Sequence, residues 1–217
     1  MQKAVLLHGF NKKQDDMMVL KSNLLVHKLD CELVDLPLTF KRIDQCAFIF
    51  EGLFEKIISE LNKTEKVSLI GHSSGGLVIR KFLSETKYLS RINKCVLIAT
   101  PNQGSELADF AGKISRTYVK IFKTLYSLQT DNINMLQLKE TNVEIGAIAG
   151  NKNNLLLGNM LENENDGRVE VKSVYYSGLK DFIVLPYGHK EIHYQKETAD
   201  LIHSFIIHSK FNIKEKL

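Results

Sequence analysis

Residues 66–78, Lys-Val-Ser-Leu-Ile-Gly-His-Ser-Ser-Gly-Gly-Leu-Val, constrain the chain more than any other stretch. The apolar run from Val67 to Ile70 has the length and composition of a short buried strand. Gly71-x-Ser73-x-Gly75 follows, and Leu77, Val78 and Phe82 then recur at helical spacing. Strand, sharp turn and helix in succession leave Ser73 on an elbow with its hydroxyl outward. Glycines two residues to either side remove the Cβ clashes of so tight a turn. The helix opening behind the serine offers free N–H groups and the positive end of a dipole to a negative oxygen. A hydroxyl so placed is a candidate nucleophile for acyl transfer, provided the chain also supplies a base and an oxyanion site.

The rest of the sequence alternates strands with helices. Ala4-Val5-Leu6-Leu7 reads as a central strand ending in His8-Gly9-Phe10. Met17, Leu20, Leu24, Leu25 and Leu29 predict a helix over 15–29, and Cys31 to Leu36 a strand stopped by Pro37. Phe50, Leu53, Phe54, Ile57, Ile58 and Leu61 mark an amphipathic helix before the elbow strand. Cys95 to Ala99, Ile145 to Ala149 and Asp181 to Leu185 are further strands, and a helix is expected from Lys196 to His208, followed by a charged tail, Lys210 to Leu217. Short apolar strands alternating with helices predict an α/β fold: a mostly parallel sheet of about six strands with helices on both faces. At 217 residues the chain is expected to be a single domain over 1–217. No repeat, P-loop or dinucleotide-binding glycine pattern is present.

The segment 105–138 departs from this alternation. Phe110, Ile114, Tyr118, Ile121, Phe122 and Leu125 form an apolar stripe at helical spacing, with Lys113, Arg116, Lys120 and Lys123 between them. It leaves the carboxyl edge of a strand, so a cap or acyl-binding wall above the elbow is expected. A basic amphipathic helix also suits weak peripheral contact with a membrane surface.

A net charge of +4 with dispersed lysines argues against nucleic-acid recognition. Cys31, Cys46 and Cys95 are odd in number, and two lie in apolar runs, which favours free buried thiols and a reducing, cytoplasmic compartment. The strand pattern begins by Lys3, so no signal peptide is expected, and no apolar run has the length of a membrane span.

Serine needs a base, and the base an orienting acid. Of the seven histidines, His189 follows the last strand in a glycine-containing loop and is favoured, with His193 as its rival. Asp166, in the loop after the penultimate strand, is favoured over Glu164 and Asp181, since Asp181 opens its strand at the opposite edge of the sheet. The Phe10 and Ser74 N–H groups are the expected oxyanion donors. His8 is read as a structural hydrogen-bonding residue beneath its turn. His189 and His193 stand at i, i+4, but no third ligand is evident, so no metal and no cofactor are expected.

Taken together, Val5 to Phe10, Ile70 to Leu77, Ala99 to Asp109, Asn165 to Val169 and Asp181 to Pro186 with His189 resemble the bacterial lipase/esterase branch of the α/β-hydrolase superfamily. The resemblance runs from Val5 to Phe205. It implies a minimal α/β-hydrolase fold with a helical cap-like insertion over 105–138. It also implies a Ser73–Asp166–His189 triad, small-molecule or lipid acyl ester substrates, and no cofactor. Ser74 departs from the leucine usual after the nucleophile, and Lys190 from the small polar residue commoner after the histidine. An acyltransferase or thioesterase would use the same triad, and a non-enzymatic binding protein could keep the same fold.

Overall fold

The structure, a computed structural model, describes residues 1–212, the side chains of residues 116 and 119 excepted. The expected charged tail lies, beyond residue 212, outside the described residues. Six strands form one sheet: β1 (Gln2–Leu7), β2 (Leu29–Val34), β3 (Val67–His72), β4 (Ile92–Ile98), β5 (Glu144–Gly150) and β6 (Asp181–Leu185). Their order is β2-β1-β3-β4-β5-β6, and all five pairings are parallel. This is the minimal α/β-hydrolase fold.

Alternation along each central strand divides its side chains between two cores. Val5, Leu7, Cys95 and Leu97 face a cluster that holds Phe50 and Phe54 of α2 (Ile43–Ser59) and Phe82 of α3 (Ser74–Glu85). Ala4, Leu6, Val96 and Ile98 face the opposite cluster, with Leu20 and Leu24 of α1 (Met18–Leu25). That second face is completed by Ile202 and Phe205 of the C-terminal helix, Lys196–His208. Strands buried on both sides explain the unbroken apolar runs read in the sequence.

The sheet order reverses at β1, whose neighbours β2 and β3 carry the chain in opposite directions across the sheet. In open parallel sheets the crevice outside the carboxyl ends at such a point is where ligands bind. Gly9-Phe10 follows β1 there, and Ser73 follows β3.

Two expected helices are corrected. The helix predicted over 15–29 begins as a single 3-10 turn, Gln14–Met17, and α1 ends at Leu25. Lys28 turns back with φ of 59°, so Leu29 opens β2 and Leu25 stays exposed. The stripe over 105–138 is not one helix but four: α4 (Glu106–Ile114), α5 (Arg116–Ile121), α6 (Lys123–Ser127) and α7 (Thr130–Met135). Ser115, extended at φ −150° and ψ 102°, ends α4, and its hydroxyl accepts from the Tyr118 N–H to cap α5. Phe122 breaks the chain again. A short α8 (Val171–Val174) follows the loop after β5, and the C-terminal helix is α9. Among the described residues, no helix is long and apolar enough to cross a membrane.

Candidate active site

The elbow is a strained turn. Ser73 has φ of 54° and ψ of −126°, a conformation that a residue with a side chain adopts at a cost of about 1–3 kcal/mol. It is held by the Ser73 N–H donating to Ile98 O at 2.8 Å, and by the Gly76 N–H donating to Ser73 O at 3.0 Å. Close approach explains the glycine at 75. A Cβ there would collide with the carbonyl oxygen of His8 and lie 2.7 Å from that of Leu7. The start of α3 therefore presses directly against the end of β1, and the Gly9-Phe10 turn is brought beside the serine.

His189 lies between the other two side chains. Its Nε2 is 3.1 Å from Ser73 Oγ, and its Nδ1 is 2.8 Å from Asp166 Oδ2. A carboxylate only accepts, so Nδ1 carries the proton toward Asp166, and Nε2 presents its lone pair to the serine hydroxyl. Asp166 is fully buried. Its Oδ1 accepts from the N–H groups of Arg168, at 2.9 Å, and Val169, at 2.8 Å. The loop after β6 is tied to this one where the His189 N–H donates to the Asp166 carbonyl at 2.8 Å. Gly167, at φ of 94°, makes the turn that allows this. All three side chains are nearly enclosed, Ser73 being 7 % exposed and His189 4 %.

The rival residues lie elsewhere. Asp181 Oδ2 accepts from the Phe211 N–H at 2.6 Å, at the amino end of β6. Glu164 accepts from Asn151 on the exposed side of the loop. His8 accepts the Leu36 N–H on Nε2 at 3.1 Å, so its Nδ1–H donates to Gly9 O at 2.9 Å and fixes the Gly9 turn.

His193 does not share a helix face with His189. It stacks on His72 with ring centroids 3.9 Å apart and lies 3.2 Å from Asp16. Burial pushes the His72 imidazole well below its ordinary value, helped by His193 and His189, and burial also lowers His193. Both rings are therefore neutral at pH 7. Sequence reading missed this trio of Asp16, His72 and His193, because its members lie on three remote segments and no spacing links them.

An aromatic cluster adjoins Phe10, which lines the cleft beside Ser73. Phe122 meets Phe10 edge-on at 6.2 Å, stacks on Phe40 at 5.8 Å and tilts against Tyr118 at 4.5 Å. Lys12, Arg168 and Lys190 line the cleft beside Ser73 and His189 and give it a basic rim.

Comparison with solved structures agrees with the architecture. The mature form of lipase BlEst2 from Bacillus licheniformis superposes with a TM-score of 0.81 at 21% identity, over 95% of this chain and 91% of that one. Its propeptide form gives 0.86 at 20% identity, over all of this chain and 52% of that one, so the present chain spans about half its length. Phospholipase PlaB from Legionella pneumophila gives 0.63 at 17% identity, over 81% of this chain and 46% of that one. No curated protein matches the sequence. The model of the PGAP1-like alpha/beta domain family matches residues 43–204, about three quarters of the chain, including Ser73, Asp166 and His189. The chain belongs to the PGAP1-like alpha/beta domain family.

Proposed function

We propose that the protein is a serine hydrolase that cleaves carboxylic esters through a covalent acyl-enzyme. The observation that carries this reading is His189 spanning Ser73 at 3.1 Å and Asp166 at 2.8 Å inside a buried network. His189 takes the Ser73 proton as the oxygen attacks the ester carbonyl, and Asp166 holds the ring in the required tautomer. The oxyanion is received by the N–H groups of Phe10 and Ser74. His189 then returns the proton to the leaving alcohol, and a water deprotonated by the same nitrogen releases the acid.

The substrates are acyl esters of lipid character. The neighbours named as lipases and a phospholipase favour this class, and so does the aromatic cluster of Phe40, Tyr118 and Phe122 that adjoins Phe10 at the cleft. The basic rim suits an ester whose remainder is negatively charged. Helices α4 to α7 act as a cap within a single domain over 1–217. Their exposed Phe110, Ile114, Tyr118 and Ile121, with Lys113 and Lys120 nearby, favour weak contact with an anionic lipid surface. The free, buried Cys31, Cys46 and Cys95 favour a reducing, cytoplasmic setting.

Fluorophosphonate labelling tests the nucleophile. The wild-type chain labels at Ser73, and Ser73→Ala neither labels nor turns over nitrophenyl esters above roughly a hundredth of the wild-type rate. A labelled Ser73→Ala variant would remove the assignment. Acyl transfer to an alcohol or a thiol is separated from hydrolysis by adding each acceptor and measuring the partition of the acyl group.

A further inference from the structure

Beside the Ser73–His189 pair lies a second set of side chains that ester hydrolysis does not use. Asp16 comes from the 3-10 turn before α1, His72 ends β3, and His193 sits in a short turn, Ile192–Tyr194. Each offers one ligand-type atom, and these atoms all lie within 4.8 Å of one another. His72 is 3 % exposed and His193 1 %. Among the described residues, Asp16 Oδ2, His72 Nδ1 and both ring nitrogens of His193 have no hydrogen-bond partner. A buried polar atom left bare costs about 1–3 kcal/mol, so one such atom from each of three converging side chains points to a shared partner.

The remaining atoms of the set are held as the outer atoms of metal ligands are held. His72 Nε2 lies 3.0 Å from the His189 carbonyl, which only accepts, so Nε2 carries the proton and Nδ1 a bare lone pair. Asp16 Oδ1 accepts from Lys12 Nζ and from the Tyr194 hydroxyl, each at 2.7 Å, which fixes the carboxylate with Oδ2 free. Metal-bound imidazoles usually donate their other N–H to a carbonyl or carboxylate, and metal-bound carboxylates are themselves hydrogen-bonded. His193 Nε2 is 3.2 Å from Asp16 Oδ2 without the alignment of a hydrogen bond. Ligand atoms of a tetrahedral zinc, with bonds near 2.0–2.1 Å, sit roughly 3.3 Å apart, close to this separation.

We propose that Asp16, His72 and His193 form a binding site for a divalent transition-metal ion of the zinc type. Two imidazoles and one carboxylate suit zinc better than calcium or magnesium, which take oxygen ligands. The ion ties the segment that carries Phe10 to the segment that carries His189. Its fourth position takes a water from the cleft that the same three residues help to line. The His72 and His193 rings stack with 26° between their planes, so ion binding turns the His193 ring to aim a nitrogen at the metal. The site stands independently of the hydrolase reading, because its test needs no turnover.

The full chain, stripped with a chelator, is titrated with Zn2+ by calorimetry, and its metal content is measured after desalting. One Zn2+ per chain is expected, with a raised melting temperature. His193→Gln and Asp16→Asn each weaken binding by at least about tenfold. His27→Ala leaves binding unchanged, although His27 pairs with Asp200 and stacks on His203 as a surface alternative. Absence of stoichiometric binding overturns the site, and so does binding lost in His27→Ala but kept in His193→Gln. If the variants misfold, Co2+ added to the wild-type chain decides by NMR. It broadens the ring protons of His72 and His193 before those of His27 and His203, and the reverse order refutes the proposal.

Discussion

Replacing Asp166 by asparagine separates the chemistry of the site from its stability. The two Oδ1 hydrogen bonds, from the N–H groups of Arg168 at 2.9 Å and Val169 at 2.8 Å, survive if the amide oxygen takes that position. The amide NH2 then faces His189 Nδ1 at the former 2.8 Å contact. Two donors cannot share that contact, so the imidazole moves its proton to Nε2 and loses the lone pair that serves Ser73. Where this tautomer error has been isolated in a Ser-His-Asp triad, it costs about 10⁴-fold in kcat, or about 5 kcal/mol of barrier. Asp166→Ala is the contrast. It removes the acceptor of both N–H groups at a fully buried position, so it also costs about 1–3 kcal/mol of stability for each group left bare. Initial rates on a short-chain nitrophenyl ester, with urea unfolding of both variants, give the two numbers. An asparagine variant that keeps more than roughly a thirtieth of wild-type activity would refute the role of Asp166. So would an alanine variant as stable as the asparagine one, since the network then holds nothing.

Three further outcomes are expected. Gly75→Ala drives a Cβ against the main-chain oxygens of Leu7 and His8, which cannot move without distorting β1, so a loss of about 3 kcal/mol or more should appear in urea melts and little activity should remain. Burial pushes the Cys31 and Cys46 thiols from an ordinary value of 9.0 up to about 12. Between those values the unfolded chain releases thiol protons that the folded chain keeps, so stability is intact below pH 9 and falls toward pH 12 by on the order of 1.4 kcal/mol per pH unit per thiol. Cys46→Ala should flatten that fall in urea midpoints measured across the range, and an unchanged slope would contradict it. Phe122→Ala removes the ring that meets Phe10, Phe40 and Tyr118, so kcat/KM should fall more for long-chain than for short-chain esters, and a uniform change would argue against an acyl wall.

The strands were legible because both faces of the sheet are covered. Val5 to Leu7 and Cys95 to Ile98 are apolar from end to end and wholly buried, the pattern a central parallel strand leaves. The side chains named for the site could be ordered along the chain because each follows a strand at the same edge. The segment 105–138 reads as one helix because its apolar period continues across the breaks at Ser115 and Phe122, neither of which is a glycine or proline. The turn after α1 was hidden for a similar reason, since Lys28 takes the left-handed conformation that glycine would have announced. Asp16, His72 and His193 could not have been grouped at all. Only the sheet order brings residues so distant in the chain together.

His189 hangs from β6, the margin of the sheet, whose one neighbouring strand among the described residues is β5 and which is only partly buried along most of its length. Ser73, in contrast, springs from a strand flanked on both sides. Ser73 and His189 are thus anchored in regions of unequal firmness. On the proposed mechanism, mild denaturant that peels β6 away would abolish ester cleavage while most of the helices and inner strands persist, and restoring β6 would restore cleavage without refolding the whole.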